Sequence, residues 1–330
     1  MLSKTVRVLN FDDSIVRQKK LMSRYEPHVV DFKNLGPDCR FWMGEKAARE
    51  IRKLLAPGLK NAVTFLGSGD FHQVSSLLIE PFEQPLTLIV FDHHPDWDIL
   101  PPKRHCGSWV TQVLKKEEVE KIILLGVSSQ DISTFSIQTG NLGALGQDRL
   151  EIYPYQHVRT RVFFRRVPEN PSVRIQRRFL SSEITWQELA RQNLDRFLQG
   201  LAARIKTRSV YISIDKDCLK ARDSLTNWEE GFLDLDELLT MLHFLQKNFD
   251  LAGLDVTGDY SEPIFRGKWK SFCAWLDHPR GYSAEGVPAS EIDAVNEGTN
   301  LKILEALEIP STQGGQAGAI LRTLAYKDKA

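Results

Sequence analysis

The 330-residue sequence has no excess of charge of either sign, because 43 lysines and arginines balance 43 aspartates and glutamates. Proteins that bind nucleic acid or anionic membranes depend on clustered positive charge. The balance therefore argues against both classes, and short basic pairs such as Arg165-Arg166 and Arg177-Arg178 are interpreted as solvated faces. The expected partner is a small-molecule substrate, with no nucleic acid and no membrane.

Long apolar runs and paired cysteines are also missing. No stretch approaches the ~20 apolar residues of a membrane-spanning helix, and the N-terminal residues lack the apolar core of a signal peptide. Four cysteines are scattered without CxxC spacing, which excludes a disulfide scaffold and a zinc ribbon. They are Cys39, Cys106, Cys218 and Cys273. These absences predict a cytoplasmic protein in a reducing compartment.

Five short and continuous apolar segments predict strands that are buried on both faces, as in parallel sheets covered by helices. They are Ala62–Leu66, Leu86–Phe91, Lys121–Val127, Ser209–Ile214 and Leu251–Val256. A sixth strand is expected at Leu150–Tyr153, inside a less regular region that runs from 128 to 182.

Helical patterns separate these strands. One covers Glu45–Leu55 and ends before Pro57-Gly58, and an apolar stripe runs from Leu194 to Ile205. Capping-box spacing at Thr185–Glu188 and at Asp234–Glu237 predicts two helix starts. Alternating strands and helices predict a three-layer αβα fold with a mainly parallel sheet. Since no flexible linker divides the chain, residues 1–330 are expected to form a single domain.

Acidic and imidazole side chains follow three of the predicted strands. They are His72 after the first strand, Asp92, His94 and Asp96 after the second, and Asp215 and Asp217 after the fourth. Alternate residues on extended backbone share a face, so the ligand side chains that follow any one strand are expected to point to the same side. Parallel sheets bind ligands at the carboxyl ends of their strands, and all six side chains are therefore predicted to converge there.

Such a convergence predicts bound metal. Four aspartates in a dry crevice would repel one another strongly, and a divalent cation removes that penalty. Two cations remove it better, because four carboxylates carry more charge than one ion balances. Oxygen-rich ligation with two imidazoles and no thiolate favours manganese, with iron, nickel or zinc as alternatives. Two ions about 3.5–4 Å apart can hold a bridging hydroxide, a nucleophile for carbon or phosphorus.

The same motifs resemble those of the ureohydrolases, the family of arginase and agmatinase. Asp92-x-His94-x-Asp96 is similar to the DxHxD motif, Ser213-x-Asp215-x-Asp217 to the SxDxD motif, and 69–72 to the GGDH turn. They occur in family order between about Asn61 and Asp259. The resemblance implies an arginase-like fold and cleavage of a C–N bond in a guanidino, amidino or amide compound by a metal-bridging hydroxide. It also allows a homo-oligomer, since relatives assemble as trimers or hexamers.

The resemblance also implies roles for individual residues. One manganese ion would be held by His72, Asp92, Asp96 and Asp215, and the other by Asp92, His94, Asp215 and Asp217. Asp96 would also orient the hydroxide and pass its proton to the leaving amine. His105 resembles the mobile histidine that shuttles protons to solvent, and an ordinary loop histidine is the alternative.

Two departures from the family pattern concern the turn and the substrate pocket. Phe71 separates Asp70 from His72, so the turn must be rebuilt if His72 is to reach an ion. Guanidine-cleaving members carry a glutamate near the end of the last strand, where alignment places Gly258. A glycine cannot form that bidentate contact. Asp259 or Glu262 is the expected substitute, and otherwise the pocket is shaped for a different substrate.

Two other functions remain open at this point. The first is a mononuclear zinc amidohydrolase like the structurally related deacetylases, which a metal count near one per chain would favour. The second is a non-catalytic metal-binding relative that lost its substrate determinant at Gly258. Bound metal with complete inactivity would favour that second function.

Overall fold

A computed structural model describes residues 5–55, 61–100, 104–278, 281–282 and 284–309, and the predicted helix exit at Pro57-Gly58 lies outside these ranges. The strands are β1 (Val6–Asn10), β2 (His28–Asp31), β3 (Trp42–Met43), β4 (Val63–Gly67), β5 (Leu86–Phe91), β6 (Arg104–His105), β7 (Val119–Leu125), β8 (Leu150–Tyr153), β9 (Thr160–Phe163), β10 (Val173–Arg177), β11 (Ser181–Trp186), β12 (Ser209–Asp215) and β13 (Asp250–Thr257). The helices are α1 (Lys19–Tyr25), α2 (Gly36–Cys39), α3 (Glu45–Leu54), α4 (Ser75–Ile79), α5 (Trp109–Val113), α6 (Leu142–Gly146), α7 (Leu194–Arg204), α8 (Leu235–Asn248), α9 (Lys268–Asp277) and α10 (Ala289–Ala306).

Eight strands form one sheet in the order β2-β1-β4-β13-β12-β5-β7-β8, and every neighbouring pair is parallel. Its central strands are buried on both faces. In β5, Leu88 and Val90 join one apolar core, whereas Ile89 and Phe91 join the other. Helices α3, α4 and α5 contribute to the first core, and α1, α7, α8 and α10 to the second. The predicted three-layer αβα fold with a parallel sheet is confirmed.

The helix predicted to start at Thr185 starts later. Thr185 lies in β11 opposite Arg174 of β10, and α7 begins at Leu194, where the Asn193 side chain accepts a hydrogen bond from the Arg196 backbone N–H. The reason is burial, because alternate residues of β11 pack into the core while those between them face outward. The capping box at Asp234 forms as predicted.

The carboxyl ends of four adjacent central strands lie level at one edge of the sheet. Asp215 of β12 is in register with Thr257 of β13, and Thr257 is in register with Gly67 of β4. On the other side of β12, Ile214 pairs with Phe91, the last residue of β5. The segments that follow β4, β5 and β12 therefore leave the sheet side by side, which is the condition the sequence prediction required.

Two smaller sheets lie outside the central one. Strands β10, β11 and β9 form an antiparallel sheet within the region that the sequence left least regular. Strands β3 and β6 form a two-stranded pair that places Trp42 opposite His105. None of the described helices is long and apolar enough to cross a membrane.

Candidate metal centre

Two groups of three ligand atoms lie close together beyond the strand ends, and Asp92 belongs to both. The first group contains His72, Asp92 and Asp96, and the second contains Asp92, His94 and Asp217. His72 Nδ1 lies 3.2 Å from Asp92 Oδ2 and 3.2 Å from Asp96 Oδ2. His94 Nδ1 lies 2.9 Å from Asp217 Oδ2 and 3.7 Å from Asp92 Oδ1. All six residues predicted as ligands are thus near one another, since Asp215 Oδ2 is 3.5 Å from His72 Nδ1.

The turn that carries His72 accommodates the extra residue Phe71. Residues Gly69–Val74 form a 3₁₀ helix, which the Ser68 side chain caps by accepting the backbone N–H of Asp70. The Phe71 ring is buried and stacks on Phe11 with 4.7 Å between ring centroids. The inserted side chain is therefore taken up by the core, and His72 faces the carboxylates.

Asp96 reaches the cluster by a different route from the one predicted. Its φ of 46° is left-handed, and residues 92–97 bend away from the sheet instead of continuing as an extended strand. The indole Nε1 of Trp109 donates a 2.7 Å hydrogen bond to Asp96 Oδ2. The three DxHxD side chains converge as expected, but a turn and a hydrogen bond bring Asp96 in, not alternation along a strand.

Backbone N–H groups orient the remaining carboxylates. Asp217 lies in a 3₁₀ turn, and its backbone N–H donates to Asp215 Oδ1 at 3.1 Å. The backbone N–H of His93 donates to Asp217 Oδ1 at 3.0 Å. The backbone N–H of His94 donates to Asp92 Oδ1 at 2.6 Å. Each of these aspartates therefore keeps its second oxygen for the centre of the cluster.

The donor set fits divalent cations. Within the described part of the chain, the buried atoms His72 Nδ1 and Asp92 Oδ2 have no hydrogen-bond partner, although buried polar atoms normally find one. Burial and the charge of Asp92 raise the pKa of Asp96 to about 7 and that of Asp217 to about 6. Burial and the neighbouring aspartates also raise the pKa of Asp215. The carboxylates crowd one another in a way that bound cations would relieve.

A buried chain of hydrogen bonds fixes the ring of His72. Its Nε2 lies 2.9 Å from Ser213 Oγ, and Ser213 donates to Asp255 Oδ1 at 2.7 Å. Because Ser213 gives its proton to Asp255, its oxygen receives the Nε2–H of His72. The lone pair of His72 is then on Nδ1, the atom that faces the cluster. Ser75 and Tyr211 also donate to Asp255, at 2.9 and 2.8 Å.

Removing the charge of Asp255 is expected to weaken metal binding without removing a ligand. Carboxylates that support a ligating histidine raise its basicity, and losing one costs about 10–100-fold in metal affinity. We expect Asp255→Asn, which keeps the shape, to lower the affinity for Mn²⁺ by that factor in calorimetric titration. Asp250→Asn, at the half-buried start of the same strand, is the matched control and should bind like wild type. Equal affinity for all three proteins would contradict this role.

The cluster opens into a cleft of about 580 Å³. His105 lines it, as does Trp228, whose ring packs 5.3 Å from that of His94. His105 Nδ1 accepts the backbone N–H of Gly107 at 3.0 Å, so its neutral ring carries the proton on Nε2. Burial lowers the pKa of His105 to about 4. The structure thus places His105 in the cleft as a neutral imidazole at pH 7.

The two expected substitutes for the missing glutamate are not in the cleft. Asp259 is buried, paired with Lys216 at 3.0 Å and hydrogen-bonded by Gln18 at 2.7 Å. Glu262 is exposed and does not line the cleft. Gly258 has a φ of +91°, and a Cβ there would lie 2.5 Å from Asp215 Oδ1. A side chain at this position would displace Asp215, which explains the glycine.

Several residues of the site have no recognisable sequence motif. Glu229 lies at the cleft, with Oε2 3.5 Å from His94 Nε2, and hydrogen bonding with His94 lowers its pKa to about 2. Asp277, at the end of α9, also lines the cleft. Asp255 does carry a signal, because a lone aspartate inside an apolar strand needs buried partners. Glu229 and Asp277 are brought in by loops and helix ends that periodicity does not predict.

Comparison with known proteins identifies the fold. No family model matches the chain. A protein of Thermotoga maritima described as uncharacterized is 25% identical over 262 residues, covering 78% of this chain and 81% of that protein. Formimidoylglutamase of Bacillus subtilis gives a TM-score of 0.56 at 13% identity, covering 94% of this chain and 89% of that one. Entamoeba histolytica arginase gives 0.54 at 9% identity, covering 93% and 99%. Agmatine ureohydrolase of Thermoplasma volcanium gives 0.51 at 11%, covering 92% and 88%.

These likenesses extend over nearly the whole described chain, although sequence identity is low. They agree with the parallel eight-stranded sheet of the structure. The expectation drawn from three short motifs is confirmed at the level of the fold. The chain has an arginase-like fold, at 9–13% sequence identity to these three solved structures.

Proposed function

We propose that this chain is a binuclear metal-dependent hydrolase that cleaves a carbon–nitrogen bond of a cationic guanidino or amidino compound. The observation that supports it most is the pair of ligand groups sharing Asp92 in an open cleft. Bound cations would acidify a water molecule and polarise the carbon of the substrate. We propose manganese, because two imidazoles among carboxylates, without a thiolate, suit it. The ligands would be His72, Asp92, His94, Asp96, Asp215 and Asp217.

The residues around the cluster supply the proton transfers. In the reaction the water oxygen bonds to the amidino carbon, the C–N bond breaks, and a proton reaches the leaving nitrogen. Asp96, held by the Trp109 N–H, takes the proton from water and returns it to that nitrogen. His105 lines the same cleft as a neutral imidazole that can donate its Nε2 proton.

The charge of the cleft favours a cationic substrate. Nine carboxylates line it, and the described lining residues include no lysine or arginine. Beyond the four cluster aspartates these are Asp98, Asp131, Glu229, Glu230 and Asp277. Glu229 is beside His94 and its side chain is 68% exposed, so it is available to pair with a planar cation. We propose that Glu229 replaces the guanidinium-binding glutamate that position 258 cannot hold.

A substrate screen with a metal count tests the proposal. Manganese-loaded protein is assayed with guanidino, formimino and acetyl-amide compounds, including agmatine and arginine, which differ by one carboxylate. We expect about two metal ions per chain and turnover of guanidino or formimino compounds, with agmatine preferred over arginine. Glu229→Gln should raise KM for the cationic substrate at least tenfold and leave the metal count unchanged. That factor matches the loss of one charge-assisted contact, about 1.5–3 kcal/mol.

Other outcomes would decide for the alternatives. One ion per chain with turnover of acetyl amides would favour the mononuclear zinc amidohydrolase. Two ions with no turnover of any compound would favour a non-catalytic metal-binding protein. Preference for arginine over agmatine would leave the hydrolase standing and overturn the substrate assignment from cleft charge.

We also propose that the protein works in the cytoplasm. Its four cysteines are free, and three of them are buried. Burial raises the pKa of Cys39 to about 12, so this thiol stays protonated and unreactive. Unpaired, inert cysteines are expected of a protein from a reducing compartment.

A further inference from the structure

Four apolar side chains are exposed together at one end of the small β10-β11-β9 sheet. They are Phe163, Phe164, Phe179 and Leu180, with exposed fractions of 40%, 82%, 99% and 57%. The backbone N–H of Phe164 donates to Leu180 O at 3.1 Å, and Phe163 pairs with Ser181 in the sheet. Clustered apolar exposure of this kind marks an interaction site. These four residues are called the apolar tip.

Arginines surround the apolar tip. Residues 158–186 contain seven arginines and only two glutamates, Glu169 and Glu183. The arginines are Arg159, Arg161, Arg165, Arg166, Arg174, Arg177 and Arg178. Glu183 is shared by three of them, at 3.0, 3.8 and 3.8 Å. Within the part of the chain that the structure describes, Arg166, Arg174 and Arg177 form no ion pair. The neutral total of the chain therefore hides a local positive surface.

We propose that this surface binds an anionic phospholipid membrane. Apolar side chains at a tip enter the boundary between headgroups and acyl chains, while arginines beside them contact lipid phosphates. Phe179 and Phe164 are the most exposed of the four, and each has an arginine next to it in the chain. The balanced total charge led to the expectation that the protein binds no membrane. Membrane binding depends instead on the local concentration of positive charge.

The same features argue against two other occupants. Single-stranded nucleic acid is bound along a groove in which successive bases stack on aromatic rings. Here the apolar residues are gathered at a turn, and Leu180 offers no aromatic face. A second copy joined through a two-fold axis would bring the same arginines face to face, and that repulsion opposes self-association.

The tip belongs to an element that also contacts a wall of the cleft. Thr160 of β9 donates to Ile132 O at 2.7 Å, and Thr134 Oγ1 accepts the backbone N–H of Arg161 at 3.0 Å. This neighbouring segment begins with Gln130 and Asp131, which line the cleft. A membrane at the tip would therefore lie against an element that contacts one wall of the cleft.

Vesicle co-sedimentation of the full chain tests this inference. We expect binding to phosphatidylcholine vesicles that contain phosphatidylglycerol, and at least tenfold less binding to phosphatidylcholine alone. Phe164→Ser/Phe179→Ser should lower binding at least tenfold. Arg166→Gln/Arg177→Gln should also lower binding at least tenfold, and the binding that remains should no longer weaken as the salt concentration rises. Trp269→Ser/Trp275→Ser is the matched control, because these side chains are 69% and 62% exposed but belong to a different element, α9. It should bind like wild type.

Three results would overturn the proposal. One is equal sedimentation with neutral and anionic vesicles, or none with either. Another is equal loss of binding in the α9 control. The third is tighter binding of a single-stranded oligonucleotide, or gel filtration showing a dimer that the tip variants abolish. Circular dichroism of each variant verifies its fold. Because all the substituted side chains are exposed, we expect the variants to remain folded.

Discussion

Asp96→Asn should abolish hydrolysis while leaving the protein folded. Asparagine matches aspartate in shape and can still accept the Trp109 indole hydrogen bond, but it cannot take a proton from water. A positioned acid–base group contributes about 10²–10⁴-fold to rate, and the variant also loses one of the first group's ligands. We expect kcat to fall by at least that factor, measured as product release under saturating substrate and manganese.

Asp98→Asn is the control for this loss. Asp98 also lines the cleft, two residues along the chain, but it belongs to neither ligand group. Burial raises its pKa to about 6, and its Oδ1 accepts the Thr139 hydroxyl at 3.0 Å. We expect its kcat to stay within a few-fold of wild type. If Asp96→Asn keeps wild-type kcat, Asp96 is not the proton carrier.

Metal removal is expected to reverse how stability depends on pH. In metal-free protein, the carboxylates of Asp92 and Asp217 raise the pKa values of His72 and His94 although burial opposes this. Burial raises the pKa of Asp215 as well. Groups whose pKa is raised on folding bind protons more tightly in the native state, so stability is lost as pH rises through their folded pKa values. Between about pH 6.5 and pH 8, stability of the metal-free protein should therefore fall.

The limits of that window are set by other groups. Burial lowers the pKa of His93 to about 3 and that of His105 to about 4. They lower stability only below about pH 6.5, where unfolded histidine is protonated. Burial lowers the pKa of Lys270 to about 8, so its effect begins above that pH. Between about pH 6.5 and pH 8, the ligand cluster therefore determines whether stability rises or falls with pH.

Bound manganese should make the stability of the protein rise with pH over the same range. Cations bind deprotonated ligands, so metal affinity and the stability that it confers increase with pH. At a free concentration about a thousandfold above Kd, each ion adds about 4 kcal/mol, which corresponds to several degrees in Tm. Thermal unfolding with EDTA and with manganese, at pH values across the window, measures both slopes.

Asp215→Asn provides the matched comparison for the stability prediction. The variant removes a buried charge that repels Asp92 and Asp217 while keeping an oxygen for the Asp217 N–H. At pH 8 the metal-free variant should therefore unfold at a higher temperature than metal-free wild type, and manganese should stabilise it far less. A metal-free variant that is less stable than wild type would contradict the assumed repulsion.

The layers of the fold could be predicted because strands that are buried on both faces consist of continuous apolar residues. Strands β4, β5, β7, β12 and β13 match the five apolar segments within a few residues. Strand β1 was not predicted, because its short apolar run includes Arg7, which is buried and donates to Thr64 Oγ1. A charged residue interrupts the apolar pattern that predicts a buried strand, and its hydrogen-bond partner cannot be identified from sequence when it lies far along the chain.

The ligands of the cluster could be predicted because each follows a strand end, where topology decides position. The groups that orient them were out of reach, since Trp109 and Asp255 are separated from Asp96 and His72 in sequence and are joined to them only by packing. The substrate pocket was the hardest part to predict. Glu229 reaches it on an irregular loop, and loops carry no periodicity from which direction can be deduced.

The tight fit around Gly258 limits how this protein could evolve. A glutamate there would need a residue with φ near +91° and a Cβ only 2.5 Å from Asp215 Oδ1, the oxygen that accepts the Asp217 N–H. A single mutation toward the guanidine-cleaving pattern would thus damage the ligand set before it supplied a new contact. Under the proposed function, a change of specificity would have to come from the loops around the cleft, which can vary while the ligand set stays the same.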